Sequence, residues 1–380
     1  MNTDNLLKVM TIVGTRPEII RLSRVMARLN EFTRHILVHT GQNYDYELNE
    51  IFFKDLDLRN PDYYLNVDAS TLGTAVGDII RKSEDVIRKE MPDALLVLGD
   101  TNSCLSAYIA KRLHIPVFHM EAGNRCFDFN VPEEINRRII DHIADFNLVY
   151  TEHARRHLIS EGLPHRRIYL TGSPMYEVLK HHQSKIESSD VLSRLDLKKQ
   201  KYFIVSTHRE ENVDNPNHLK IILEVLNQLA EDYDIPVVVS THPRTRKRLE
   251  QLKDNAFDSR IQFLKPFGFT DYVNLQMNAL CTVSDSGTIS EESAILSFPA
   301  ISIRNSMERP EAQDAGTIFL TGIDKRAVIN CIQTAIEEHK QRKYSGNVYE
   351  YGIPDTSWRV MKLILGNAGL SNKWHGIAEP

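Results

Sequence analysis

Short apolar runs alternate with amphipathic stretches along most of the chain, and that alternation restricts the fold more than any other feature. Runs at 8–13, 35–39, 94–98, 116–120, 146–150 and 167–170 are rich in Val, Ile, Leu and aromatic residues, as parallel strands buried on both faces require. Helical patterns at 17–29, 72–89, 103–113 and 132–143 lie between them, and Pro17 suits a helix first turn. A second series follows, with strands predicted at 202–206, 236–240, 261–264, 280–283, 300–303 and 317–320. Its helices are predicted at 216–229, 245–252, 290–296 and 325–339. Two βαβ series of similar size predict an α/β chain of two doubly wound, Rossmann-like domains facing a central cleft. A chain of 380 residues suits two such cores better than one. The join is placed at Gly172-Ser173-Pro174, giving domains over 1–173 and 174–355, with a last helix over 356–380 packing back on the first. The polar stretch 181–201 reads as solvated.

Bulk properties exclude several classes. The net charge of −5 gives no electrostatic case for a nucleic-acid partner. Cys104, Cys126, Cys281 and Cys331 are scattered with no CxxC pair, so buried free thiols are expected rather than a metal cluster. The beginning of the sequence lacks the pattern of a secretory signal, and no apolar run approaches the ~20 residues of a membrane helix. A cytoplasmic protein without membrane contact is expected.

Ligands of doubly wound folds sit at the carboxyl ends of the strands, and the polar clusters fall there: GTRPE (14–18), GDT (99–101), MEAGNR (120–125), STHRE (206–210), STHPR (240–244) and SDSG (284–287). In SDSGTISEE (284–292) a strand turns into a helix, whose free N–H groups and dipole can hold phosphate. Ser286 can donate to that phosphate and Glu291 or Glu292 can accept from ribose; alternatively Ser286 caps the helix. Arg16 stands beside a second helix start and can clamp phosphate, or pair with Glu18; Arg309, after an apolar strand, can meet the same phosphates. There is no GxGxxG and no P-loop motif. Asp100 and Glu121 directly follow apolar strands, and Glu133 opens the helix that begins at Pro132. Clustered carboxylates raise one another's pKa and make general acids and bases. The structural alternatives are a helix cap for Asp100, a salt bridge to Arg125 for Glu121 and a dipole partner for Glu133. His208 can stabilise a leaving phosphate, and His242 has a similar position. The histidine spacing matches no metal-ligand template.

The strings GTRPE, GDT, MEAG, PEEINRR, THREEN, SDSG and ERPEA occur in this order over residues 8–322. As an ordered set they resemble the non-hydrolysing UDP-N-acetylglucosamine 2-epimerase family. The resemblance implies a fold like that of the B-type glycosyltransferases, usually a homodimer, with the second domain binding UDP and no bound cofactor. It implies anti-elimination of UDP to a 2-acetamidoglycal and re-addition after protonation from the other face. By motif position, Asp100, Glu121 and Glu133 look like the family's catalytic carboxylates, and His208 like its histidine near the diphosphate. Arg16, Ser286, Gly287, Glu292 and Arg309 look like its UDP-contacting residues, and Arg137 like a basic position near the substrate. Arg21, His242, Tyr272 and Thr288 complete the substrate-binding set that the resemblance suggests.

The chain departs from the family pattern at five places. Arg21 stands where many members have lysine, and Thr288 replaces the second glycine of the usual SGG. TGQNYDYEL (40–48) replaces the TxQH segment, which puts an allosteric UDP-sugar site in doubt. MEAGNRCFDFNVPEE (120–134) and STHPRTRKRL (240–249) look more like the branch that converts UDP-2-acetamido-2,6-dideoxy-L-talose to UDP-N-acetyl-L-fucosamine. A 6-deoxy sugar favours an apolar wall near C6, for which Phe127 and Phe129 are candidates. The competing classes are a UDP-GlcNAc 2-epimerase, a retaining UDP-sugar glycosyltransferase, a hydrolysing relative and a non-catalytic UDP-sugar sensor.

Overall fold

A computed structural model describes residues 6–41, 53–241, 245, 246, 248, 249, 257–341 and 348–377. Its strands are β1 (Lys8–Val13), β2 (Arg34–His39), β3 (Tyr63–Tyr64), β4 (Ala94–Leu98), β5 (Val117–Met120), β6 (Phe146–Val149), β7 (Ile168–Leu170), β8 (Phe203–Thr207), β9 (Val237–Thr241), β10 (Ile261–Leu264), β11 (Cys281–Ser284), β12 (Ala300–Ser302) and β13 (Phe319–Leu320). They form two sheets in the orders β3-β2-β1-β4-β5-β6-β7 and β10-β9-β8-β11-β12-β13. Every pairing is parallel. The chain is therefore α/β with two doubly wound sheets. The strand order reverses between β1 and β4 in one sheet and between β8 and β11 in the other. Those reversals open crevices at the carboxyl ends, where this architecture takes ligands.

Burial explains the strand composition. All five residues of β4, Ala-Leu-Leu-Val-Leu, are buried because helices cover both faces of a parallel sheet. Met10, Ile12, Val38, Leu95 and Val97 share one core with Ile79 and Ile140 from neighbouring helices. Phe203, Val205, Val237 and Val283 do the same with Leu226, Leu229 and Ile332 in the second sheet.

The chain separates into two compact units, Met1–His181 with Tyr349–Pro380, and His182–Val348. The division lies beyond Gly172-Ser173-Pro174 because the helix Met175–His181 packs on the helix Arg16–Phe32 of the first unit. The helix Thr356–Trp374 packs on that same helix, with Arg28 stacked 4.1 Å over the Trp358 ring. The Thr356 hydroxyl also donates to the carbonyls of Thr171 (3.1 Å) and Ser173 (3.2 Å).

Several sequence expectations change. The stretch 181–201 is not simply solvated: short helices at Gln183–Glu187 and Val191–Arg194 bury Ile186 and Val191, and Val191 and Leu197 join a core with Tyr202 and Leu275. A few apolar anchors in a polar sequence leave no periodic pattern to detect. Strand β3 is two residues long, too short to show alternation. Only Cys104 and Cys281 are buried, while Cys126 and Cys331 are half-buried; all four are free thiols. Of the predicted helix 245–252, residues 245, 246, 248 and 249 are described and are helical; the rest of it, His242 and most of 40–48 lie outside the described residues. Among those described, no helix is long and apolar enough to cross a membrane.

Candidate active site

In the first unit, one carboxylate bridges the turns that follow β1 and β4. Glu18 sits three residues into its helix and is buried. It accepts from the N–H of Gly14 (2.8 Å), from the N–H (2.6 Å) and hydroxyl (2.9 Å) of Thr15, and from the hydroxyls of Thr101 (3.1 Å) and Ser103. It thus ties the GTRPE turn to the GDT turn and fixes the helix start that Arg16 opens. Burial pushes its carboxyl up, against those donors. Arg16 is half-buried as the first residue of that helix.

Each of two predicted carboxylates meets a guanidinium rather than a second acid. Asp100 follows β4 and accepts from buried Arg137, which also donates to Glu134 at 3.0 Å. Asp100 does not cap the next helical turn, where Thr101 holds the cap position. Glu121 follows β5, is 3% exposed and accepts from Arg21. Its backbone is left-handed, with φ of 63°. For a non-glycine residue that conformation is costly, and such outliers gather at functional sites. Arg125, the alternative partner suggested by sequence, is committed to Asp141 at 2.7 Å and to both oxygens of Glu161 at 2.8 and 2.7 Å. Glu133 is half-buried in the first turn of the helix Pro132–Ile143. Its neighbour Glu134 is buried and accepts from the Cys126 N–H at 3.1 Å as well as from Arg137 and Arg138. Phe127 and Phe129 are each 66% exposed, with the Arg138 guanidinium 5.9 and 5.3 Å from their ring centres.

The second unit repeats the device between β8 and β11. Asp285, fully buried, accepts from the N–H groups of His208 (3.0 and 3.1 Å) and Arg209 (3.0 Å) and from the Asn212 amide (3.0 Å). The His208 ring stands 3.1 Å from the same carboxylate through Nδ1, with its side chain 46% exposed. Asp285 thereby joins STHRE to SDSG and aims the histidine. Burial alone would raise its carboxyl, but the charge and hydrogen bonds of His208, with Arg209 and Asn212, bring it down from 3.8 to about 2. A depressed carboxyl contributes stability that is complete above the unfolded value of 3.8 and is lost as pH falls through about 2. Asp285→Asn is therefore expected to lose about 2 kcal/mol at neutral pH and to flatten the acid side of the stability curve between about pH 4 and 2, as urea titrations across pH would show.

Ser286, Gly287 and Thr288 form the turn that opens the helix Ile289–Leu296. Thr288, not Ser286, holds the cap position; the Ser286 oxygen accepts from the Thr288 N–H at 3.3 Å and meets its hydroxyl at 2.9 Å. Arg309 is buried against this turn, bonded to the Gly287 carbonyl and 2.9 Å from Glu291. A side chain at position 287 would place its Cβ 2.8 Å from that guanidinium, which would have to shift to admit it. Glu292 accepts from Gln276 at 2.7 Å. The Tyr272 hydroxyl donates to Ser206 at 2.8 Å, and Ser206 meets Ser284 at 2.8 Å, beneath the turn. Burial raises the Tyr272 phenol well above its ordinary value, so it stays a neutral donor.

Sequence reading missed Asp285 and gave Glu18 and Glu291 other parts, a partner for Arg16 and an acceptor for ribose; each is a buried acid that holds a turn. The available signal was position: each lies within the same strand-to-helix strings as the predicted ligands. Chemically, the first unit presents carboxylates able to move a proton, and the second presents a helix turn, an arginine and a histidine suited to a diphosphate.

The family model described as UDP-N-acetylglucosamine 2-epimerase matches residues 27–365. A UDP-N-acetylglucosamine 2-epimerase of Methanocaldococcus jannaschii is 37% identical over 94% of this chain and 99% of its own length. The structure of a UDP-N-acetylglucosamine 2-epimerase from Rickettsia bellii superposes with a TM-score of 0.91 at 49% identity, over 98% of this chain and 100% of that one. A Methanocaldococcus jannaschii UDP-GlcNAc 2-epimerase, solved in complex with UDP-GlcNAc and UDP, gives a TM-score of 0.87 at 34% identity over 95% and 100% of the two chains.

Proposed function

From the premise that this chain belongs to the UDP-N-acetylglucosamine 2-epimerase family, we propose that it inverts C2 of a UDP-linked N-acetyl amino sugar by eliminating UDP and adding it back. The observation that carries this reading is the placement of Asp100, Glu121 and Glu133 at the ends of β4 and β5 and the start of the following helix, with Arg137 and Arg21 fixing the first two. A binding protein or a simple transferase has no use for several acids held in this way.

The C2 proton is not next to a carbonyl, so it cannot leave by enolisation. As the C1–O bond breaks, its electron pair passes to the β-phosphate of UDP. A carboxylate takes the C2 proton, and the C–H electrons form the C1–C2 double bond of a 2-acetamidoglycal. Arg309, His208 and the Ser286 turn stabilise the diphosphate charge as it develops. In the return direction a carboxylic acid delivers a proton to the other face of C2, and the UDP oxygen re-forms its bond to C1. Two carboxylates in different surroundings suit that exchange of roles.

For the sugar, the reading is UDP-2-acetamido-2,6-dideoxy-L-talose converted to UDP-N-acetyl-L-fucosamine. The exposed Phe127 and Phe129 rings support it, as an apolar surface for a C6 methyl group. A second reading, UDP-GlcNAc, is favoured by the names of the relatives. A homodimer in the cytoplasm accompanies either reading.

Incubating each UDP-sugar with the protein in D2O, without acceptor, tests both. Deuterium at C2 of both epimers identifies the reaction, and the sugar that labels faster is the substrate. Free UDP with no epimer would indicate hydrolysis, and a sugar recovered unlabelled would sink the proposal.

A further inference from the structure

Behind the acidic set lies a second group of buried charges that no step of the reaction uses. His119, in β5, is fully buried. Its Nε2 lies 2.8 Å from the Gly99 carbonyl oxygen, which can only accept, so Nε2 carries a proton and donates it. Its Nδ1 lies 3.0 Å from Asp141, also fully buried, in the helix Pro132–Ile143. Both oxygens of Asp141 also stand 3.2 Å from the Gly123 N–H. Arg125 donates to Asp141 and to the Asn124 carbonyl, each at 2.7 Å, and holds Glu161 with its other two nitrogens.

One carboxylate therefore reaches two loops. Through His119 it fixes the peptide joining Gly99 to Asp100. Directly, and through Arg125, it fixes the turn at 121–125 in which Glu121 and Gly123 are left-handed, with φ of 63° and 79°. The turn has little room to relax, since a Cβ on Gly123 would lie 2.4 Å from the Ala154 carbonyl oxygen. The same helix carries Glu133 in its first turn. A buried ion pair rarely stabilises a fold more than well-packed apolar groups would, whereas its directional bonds do set geometry. Supporting contacts of this kind decide whether reacting groups stand where chemistry needs them.

We propose that Asp141, acting with His119 and Arg125, is a positioning residue that sets the loops bearing Asp100 and Glu121 in register with Glu133. This rests on the epimerase reading above. It assigns Asp141 and His119 no contact with substrate.

The test compares Asp141→Asn, His119→Phe and His119→Gln with the parent protein in the D2O exchange assay, with thermal unfolding and UDP affinity measured alongside. A displacement of about 1 Å in reacting groups costs about 100-fold, so Asp141→Asn and His119→Phe are expected to lower kcat by that factor while KM and UDP affinity stay within about threefold. His119→Gln, whose amide can still donate to the Gly99 carbonyl, is expected to recover at least about tenfold over His119→Phe. Variants that keep kcat within about threefold of the parent overturn the proposal. So does a loss of kcat accompanied by lost folding or lost UDP affinity, since the group would then hold up the unit rather than two loops. A parent protein that leaves C2 unlabelled instead removes the epimerase reading itself, and the positioning role falls with it.

Discussion

Glu121→Gln is expected to slow C2 hydrogen exchange by about 10³-fold while leaving UDP affinity near that of the parent. Glutamine has nearly the same shape and keeps an oxygen for Arg21, so the geometry at the end of β5 survives. It cannot take or return a proton. Position-specific removal of a general acid or base costs between about 10² and 10⁴, and a residue whose strained backbone is held at φ of 63° by its surroundings belongs high in that range. The substitution also leaves Arg21 buried beside a neutral amide, so a fall in thermal stability is expected with it. UDP affinity, for which the proposed reading calls on Arg16, Arg309 and the Ser286 turn rather than on Glu121, separates that effect from lost chemistry. Asp100→Asn and Glu133→Gln are expected to suppress the label strongly as well. The split between washout of deuterium from one epimer and from the other distinguishes the acid from the base. Near-normal exchange in all three variants would show that protons move by another route.

Arg309→Met is expected to give the largest loss on the diphosphate side. The guanidinium is buried, bonded to the Gly287 carbonyl and 2.9 Å from Glu291, which is itself fully buried. Methionine fills similar space but leaves the acid without that cation. Breaking a buried pair by removing one partner costs about 3–5 kcal/mol. UDP affinity should fall at least about tenfold, because one charge-assisted contact to phosphate and the support of the Ser286–Thr288 turn go together. The double variant Arg309→Met with Glu291→Gln divides the two effects. Neutralising the acid should restore much of the stability and none of the affinity, as melting curves and calorimetric titration with UDP would show. A single variant that binds UDP as tightly as the parent would remove Arg309 from the site.

What could be read from the sequence was whatever the backbone decides locally. Strand and helix periods arise from the repeat of a few neighbouring residues, so β1, β4 and β10 and the helix Pro132–Ile143 fall where the apolar pattern puts them. A strand-to-helix junction is local too, which is why GTRPE, GDT, MEAG and SDSG could be assigned to the carboxyl ends of strands before any coordinates. The short helices within 183–194 and the two-residue β3 escaped because they carry too few turns or alternations to show a period.

The partners of the buried charges belong to the tertiary structure alone. Arg21 lies a hundred residues from Glu121 in sequence, and Arg125 was as reasonable a partner until the fold turned it towards Asp141 and Glu161. Glu18, Asp141 and Asp285 look like ordinary acids in the chain. They become the ties between loops only when parallel pairing brings β1 beside β4, β4 beside β5 and β8 beside β11. A charge taken out of water must find its counterpart wherever the fold provides one, and that counterpart is set by which strands become neighbours, not by distance along the chain.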